Sequence, residues 1–261
     1  APMKLNLDSD DDLPVFRQVV RALQQKILSG ELQPGARMPA ETALASANGI
    51  HRSSVREAIR SLEQQGLLYR EAGKRKLFVS RPNTEELSRR LVTPMVMNGV
   101  TFEEIWEAIR ALDPVAAEAA AQRRDTDDLK ALEDNIARTK VAINDPDELV
   151  KLDIEFHEMI ALAANNRVIQ SLRLPISDLF YPSFQTVMTS LNAGERLLTA
   201  HEKILQAIKW GDAAEAKEWM IKHLNDFRKG YELASLDITG PAVFPASVSN
   251  SPSSGGKVEN L

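Results

Sequence analysis

Apolar residues recur at helical spacing along most of this chain, and the places where the period fails mark its organisation. Val15, Val19, Leu23, Ile27 and Leu28 give a 3.6-residue period over residues 14–29, and Gly30 stops it. Residues 31–39 contain Pro34-Gly35, a turn signal, and then a short extended piece. A two-turn helix follows over residues 41–47 with Leu44 and Ala45 inward, after Ala40, a poor cap. Asn48-Gly49 breaks the pattern, and Val55, Ile59 and Leu62 resume it at i, i+4, i+7. Beside that inward stripe lie Arg52, Arg56 and Arg60 at i, i+4, i+8, with Ser53 next to them and His51 at the helix start. Helix, Gly-bearing turn and helix with a basic outer face is the sequence form of a helix-turn-helix. Past Gly66 the pattern predicts strand, turn and strand over residues 67–80, a hairpin whose basic tip carries Lys74, Arg75 and Lys76. Such a wing reaches backbone phosphates or an adjacent minor groove, with Arg70 beside it on the phosphates.

Beyond a linker over residues 81–84 the chain is helical almost to residue 236, with no convincing strand. Breaks fall at Asn98-Gly99 with Thr101 as the next cap, Asp125-Thr126, Asn144-Asp145-Pro146, Asn165-Asn166, Asn192-Ala193-Gly194 and Gly211-Asp212, predicting seven helices. Pro175 and Pro182 lie inside the fifth, which is expected to be kinked or split there. The fold class is therefore mainly α: a winged helix-turn-helix over residues 13–80 and an all-helical bundle over residues 85–236. Disorder is expected at residues 1–12, which have little apolar content, and in the Ser/Pro/Gly-rich tail over residues 237–261.

The net charge of −5 would by itself argue against nucleic acid, but its distribution reverses that. Lys and Arg outnumber Asp and Glu by 12 to 5 over residues 13–82, whereas over residues 83–261 the acids lead by 28 to 19. A basic first domain joined to an acidic second is the asymmetry expected when only the first meets phosphates. The absence of cysteine excludes disulfides, thiolate metal sites and thiol nucleophiles. No apolar run approaches the roughly 18–20 residues of a membrane span and no signal peptide is read, so a cytoplasmic location and no membrane partner are expected.

The bundle's candidate chemistry lies in polar residues on apolar stripes. Asp153 and His157, at i and i+4, fall within or beside the stripe of Leu149, Leu152, Phe156 and Ile160. His201 continues the stripe of Leu197, Ile204 and Ile208, and His223 that of Ala216, Met220 and Phe227. Three of the chain's four histidines thus occupy inward positions, on three helices, together with a carboxylate. A buried unpaired carboxylate costs several kcal/mol. A shared cation removes that penalty, and two ligands at i, i+4 are a common half of a metal site. The alternative is two separate hydrogen-bonded His/Asp clusters.

The residues also carry a family resemblance. Residues 34–41, Leu44-Ala45, Gly49-Ile50, Arg52, residues 55–60, Leu62-Glu63, Gly66-Leu67 and Phe78-Val79 resemble the winged helix of GntR-family bacterial transcription regulators. The second half, through Arg110, Asp153-x3-His157, residues 161–165, His201, Gly211-Asp212 and His223-Leu224, is similar to the FCD domain of the FadR subfamily. The resemblance implies operator contacts from His51, Arg52, Arg56 and the wing tip near Gly73. It implies a divalent cation on Asp153, His157, His201 and His223, and an Arg110 that pairs with an effector carboxylate; a surface ion pair with Glu107 or Asp113 is the alternative for Arg110. Nitrogen and carboxylate donors without sulfur suit zinc, with nickel and manganese as alternatives. Thr42 and His51 depart from the family's usual Arg and Ser or Thr. The reading that follows is a regulator, in the commoner case a repressor, which binds a near-palindromic operator as a homodimer. Arg52 and Arg56 read bases, and a small organic acid at the metal modulates binding. The competing readings are a metal-dependent hydrolase fused to a DNA-binding domain and an architectural DNA-binding protein whose bundle only dimerises.

Overall fold

The computed structural model describes residues 2–7, 12–71, 76–81, 84–191 and 193–242, with the backbone alone at 84–87, 89, 182–186 and 189–191. The chain divides into two units, Ala1–Asn83 and Thr84–Leu261.

In the first unit, α1 (Val15–Leu28), α2 (Glu41–Asn48) and α3 (Arg52–Gln64) precede a two-stranded hairpin, β1 (Leu68–Arg70) and β2 (Leu77–Val79). Val19 and Leu23 of α1, Leu44 of α2, and Val55, Ile59 and Leu62 of α3 meet in a core that Leu68, Leu77 and Val79 close from the hairpin. Each such aliphatic side chain contributes about 1.5–3 kcal/mol by leaving water. Gly49 ends α2 in the left-handed region at φ 64, and the Ile50 N–H donates back to the Ala45 carbonyl at 3.2 Å. A side chain there would strain the turn that aims α3. The strands pair antiparallel, Leu68 with Val79 and Arg70 with Leu77. On the other edge of β2, the Val79 N–H donates to Ala36 and the Met38 N–H to Leu77, so the extended piece after Pro34-Gly35 flanks the wing. The wing tip at residues 72–75, which includes Gly73, Lys74 and Arg75, lies outside the described residues.

Residues 2–7 differ from the disorder expected of them. Leu5 is buried on the first core, its N–H donates to Asn48 Oδ1 at 2.7 Å, and Asn48 Nδ2 donates to the Met3 carbonyl. Met3, Leu5 and Leu7 alternate along the segment, and all three pack on the first core. Mean composition hid that alternation.

The second unit holds α4 (Thr84–Met97), α5 (Phe102–Arg123), α6 (Thr126–Val141), α7 (Pro146–Ala163), α8 (Arg167–Leu191), α9 (Gly194–Trp210) and α10 (Ala213–Leu233). Side-chain caps set several of these starts. Thr101 with Glu104, and Asp125 with Asp128, form capping boxes, while Asp145 and Asp212 each accept from the third amide of the next helix. Helix α5 is the hub, packed against α7, α8, α9 and α10, with α6 over α7 and α9 and α4 over α8. At one end Phe102 stacks on Tyr231 at 3.9 Å, with Phe180 and Phe227 around the pair. Helix α8 is not split at Pro175 or Pro182 but runs as one element of 25 residues, because packing against α4, α5 and α7 supports it across each lost backbone bond. Residues 237–242 likewise depart from the expected disordered tail. Phe102 and Glu103 donate their N–H groups to the Gly240 and Ile238 carbonyls, supplying partners that the first turn of α5 lacks. Residues 243–261 lie outside the described residues. Among the described residues, no helix is long and apolar enough to cross a membrane.

Candidate nucleic-acid interface and metal centre

Helix α3 separates its two faces cleanly. Val55, Ala58, Ile59 and Leu62 are buried, while His51, Arg52, Ser53, Arg56 and Arg60 are all exposed. His51 takes an extended backbone before the helix, and its side chain makes no capping hydrogen bond. Arg52 lies 3.8 Å from Glu41 but keeps 66% of its side chain exposed, so the guanidinium can still leave for a base edge. Arg70 has a different role from the phosphate contact expected of it. Its guanidinium is held by Glu41 at 3.0 Å and Glu63 at 2.9 Å, tying β1 to α2 and α3. A cleft of about 500 Å³ opens at the start of α2, lined by Arg37, Glu41, Thr42, Arg52, Arg70 and Lys76 among others. With Arg70 and Glu41 paired to each other, Arg37, Arg52 and Lys76 remain as cations that suit a backbone phosphate.

In the second unit, α7, α9 and α10 bring Asp153, His157, His201 and His223 together, all buried, with one donor atom from each inside 4.8 Å of the others. Asp153 Oδ1 faces the Nε2 atoms of His201 at 3.2 Å, His223 at 3.7 Å and His157 at 3.8 Å, and the last two nitrogens are 3.2 Å apart. Ligand atoms on one cation with bonds of about 2.0–2.2 Å stand roughly 3.0–3.5 Å from each other, so the cluster is spaced for one ion. The hydrogen bonding makes the same case. Asp153 Oδ1 and both ring nitrogens of His201 are buried without an aligned hydrogen-bond partner among the described residues. A cation at their centre would satisfy Oδ1 and Nε2 together, so these residues fit a divalent metal. Other groups hold the donors in place. Phe156 stacks flat on His201 at 3.9 Å, and Asn135 Nδ2 donates to the Leu152 carbonyl just before Asp153.

Burial sets the protonation states. It holds His223 down to about 3, with the neighbouring imidazoles of His201 and His157 adding to the effect. It also lowers His201, outweighing the contact with Asp153. Asp153 is pushed upward by burial, but the three imidazoles outweigh that and hold it below the usual carboxylate range. Neutral His201 and His223 beside an ionised Asp153 are the forms that bind a metal.

Behind His157 lies a layer the sequence reading did not assign. Asp113 of α5 places Oδ2 2.8 Å from His157 Nδ1 and Oδ1 2.8 Å from Arg173 Nε of α8, all three side chains being buried. Both contacts are ion-pair close without hydrogen-bond alignment. The Arg173 guanidinium also donates to Ser177 Oγ and to the Tyr181 hydroxyl, both on its own helix. The signal was present: Asp113 stands four residues after Ile109 on an apolar stripe, and Arg173 four after Ile169. Arg110 is not brought to the cluster. It is exposed, with its guanidinium 5.3 Å over the Trp106 ring, because at one residue past Ile109 it faces out of the bundle. A small cavity of about 20 Å³, room for about one water, adjoins His223 between Leu197, Met188 and Phe227. Arg196 and Asp226 lie at its edge, 3.4 Å apart.

An exposed arginine face on a winged helix and a helical unit with a buried donor cluster describe a DNA-binding regulator with a second, all-helical domain. Comparison with known proteins agrees. Residues 16–77 match the gntR family of bacterial regulatory proteins, and residues 104–226 match the FCD domain. The chain thus carries a DNA-binding domain of the GntR family followed by an FCD domain. It is 28% identical to the HTH-type transcriptional regulator YdhC of Bacillus subtilis over 83% of this chain and 90% of that protein. It is 26% identical to the galactonate operon transcriptional repressor of Escherichia coli, over 76% of this chain and 89% of that protein. Among solved structures, the GntR protein of Streptococcus agalactiae is similar at 28% identity and a TM-score of 0.61, covering 82% of this chain and 99% of that one. These matches set the hydrolase reading aside: the protein is a DNA-binding transcription regulator and not an enzyme.

Proposed function

We propose that the protein is a cytoplasmic repressor that binds a near-palindromic operator as a homodimer and answers to a small carboxylate held at a zinc ion in the bundle. Arg52 and Arg56 read base edges in the major groove, where an Arg fork matches guanine, while His51, Ser53, Arg60 and the wing's Gly73, Lys74 and Arg75 hold the backbone. Asp153, His157, His201 and His223 hold the zinc. The observation that carries this is the unpartnered Asp153 oxygen ringed by three imidazole nitrogens. When bound, the ion supplies Lewis-acid positions that a carboxylate can occupy; nickel and manganese are the alternatives with this donor set.

Charge supports an anionic effector. Apart from the imidazoles, two buried carboxylates, Asp113 and Asp153, and one buried guanidinium, Arg173, leave one net negative charge. A divalent cation makes that one net positive, which a monocarboxylate would cancel. The cavity beside His223 is too small for such a molecule as it stands, so binding requires it to widen, and Arg196 lies at its edge. Arg196 then replaces Arg110 as the arginine offered to the effector. Effector binding in the bundle shifts operator affinity through a coupling free energy of about 1–3 kcal/mol.

The test is metal analysis of the purified chain, then operator binding by fluorescence anisotropy against a panel of small carboxylic acids. One zinc per chain and a carboxylate that weakens operator binding is the expected result. A chain that neither retains zinc nor responds to any acid would leave the architectural reading standing.

A further inference from the structure

The metal reading leaves Asp113 and Arg173 unused, and stability does not account for them. Taking a carboxylate and a guanidinium out of water costs several kcal/mol each, and their attraction does little more than repay it. Apolar residues of similar volume would serve the core between α5 and α8 as well. Their arrangement has a direction, however. Arg173 is anchored on its own helix by Ser177 and Tyr181, and it faces Asp113 Oδ1. The other oxygen of Asp113 faces His157 Nδ1, and His157 Nε2 faces Asp153 and His223.

We infer that Asp113 is a positioning residue for the cation site. It holds the proton of His157 on Nδ1 and so presents the Nε2 lone pair to the metal, while Arg173 keeps the carboxylate aimed. A carboxylate behind a ligating imidazole fixes its tautomer and ring angle and raises its basicity, and losing such a group weakens metal binding about 10–100-fold. Among the described residues, only His157 of the three imidazoles has a carboxylate behind its Nδ1; Nδ1 of His201 has no partner. The inference rests on the metal reading above.

The experiment separates the fold from the site. Asp113→Asn alone strands a buried guanidinium, so it is paired with Asp113→Asn/Arg173→Met, which removes both charges. Zinc affinity is measured by competition with a chromophoric chelator, and the cobalt(II) form by its visible absorption. The double variant is expected to keep a metal-free melting temperature within a few degrees of the parent. It should bind zinc about 10–100-fold more weakly, with a changed cobalt spectrum. Parental zinc affinity in the double variant overturns the inference while leaving the metal reading intact. A parent chain that takes up neither zinc nor cobalt sinks both. The tautomer is read without any substitution, from nitrogen–proton correlations of the metal-free parent. A proton on His157 Nδ1 is expected, and a proton on Nε2 overturns the assignment even if the variants do not fold.

Discussion

The rings of Phe156 and His201 lie almost parallel, 12° apart in plane with centroids 3.9 Å apart, although they come from different helices. With no aligned hydrogen bond at either ring nitrogen, the stack is the contact that orients this imidazole. Phe156→Leu keeps the volume apolar and removes the flat support. It is expected to destabilise the bundle by about 1–3 kcal/mol, within the usual range for core substitutions. It should also weaken zinc binding beyond what the stability loss explains. Zinc competition run well below the variant's melting temperature checks this, and unchanged affinity would show that the stack has no part in the site.

His201→Ala removes a donor at the centre of the cluster. The expected outcome is loss of stoichiometric zinc and disappearance of the rise in melting temperature that zinc gives the parent. Metal analysis after dialysis, with thermal unfolding with and without zinc, reads both. Retention of one zinc per chain would mean that the four-ligand set is wrong.

In the metal-free bundle the buried imidazoles set a pH dependence whose sign is fixed. His223 is held at about 3 by burial, and His201 is lowered for the same reason, against about 6.5 in an unfolded chain. Between those values the unfolded state carries protons that the folded state refuses, so stability rises with pH across the window and is complete above it. Each such histidine contributes up to about 1.4 kcal/mol per pH unit within the window. The melting temperature of the zinc-free protein is expected to be level from pH 8 to 7 and to fall below pH 6.5. His223→Gln should fall less steeply. A parent curve flat to pH 5 would contradict neutral buried imidazoles.

What the sequence made legible, and what it hid, follows from the range over which each signal acts. Caps, glycines and apolar periods are local, which is why Thr101, Asp125, Asp145 and Gly211 mark helix ends in both the pattern and the structure. Inward placement of Asp153, His157, His201 and His223 is also periodic, and it put four donors in one core. Which inward charge meets which is not a local property. Asp113 and Arg173 lie 60 residues apart in sequence, and only the packing of α8 on α5 joins them. Arg110 shows the same limit, since a family motif names a position while one residue of helical phase decides whether it faces the core or solvent, and here it is exposed. Residues 2–7 show the limit of averaging, because a packed segment of alternating apolar residues has the same composition as a disordered one.

Gly194 carries a steric requirement rather than a conformational one. A Cβ there would lie 2.6 Å from the Ile143 carbonyl oxygen and 3.0 Å from Leu149, so the first turn of α9 sits against the α6–α7 connection with no space for a methyl group. Backbone cannot yield as a flexible side chain does. Gly194→Ala is therefore expected to destabilise the bundle by about 1–3 kcal/mol, despite the better helix propensity of Ala. It should also displace α9 and with it His201, seven residues on, so zinc affinity falls as well. Thermal unfolding and zinc competition on this one variant test the idea, and a stabilised protein would show that the connection moves freely.

Arg56 tests the other unit independently. It is exposed on α3, one turn past Arg52 and on the stripe beside the buried Val55, Ile59 and Leu62. Unlike Arg52, which has Glu41 at 3.8 Å, it has no ion pair among the described residues, so no intramolecular contact competes with DNA. Loss of a bidentate base contact costs about 1–3 kcal/mol, whereas loss of a phosphate contact weakens all sequences alike and lowers the salt slope. Arg56→Ala is expected to weaken operator binding by about 10–100-fold, with a smaller effect on unrelated DNA and no change in zinc content or in the bundle's melting temperature. Anisotropy titrations against operator and scrambled duplexes at two salt concentrations separate the cases. Equal weakening on both duplexes would move Arg56 from base reading to the backbone, and no weakening on either would remove it from the interface.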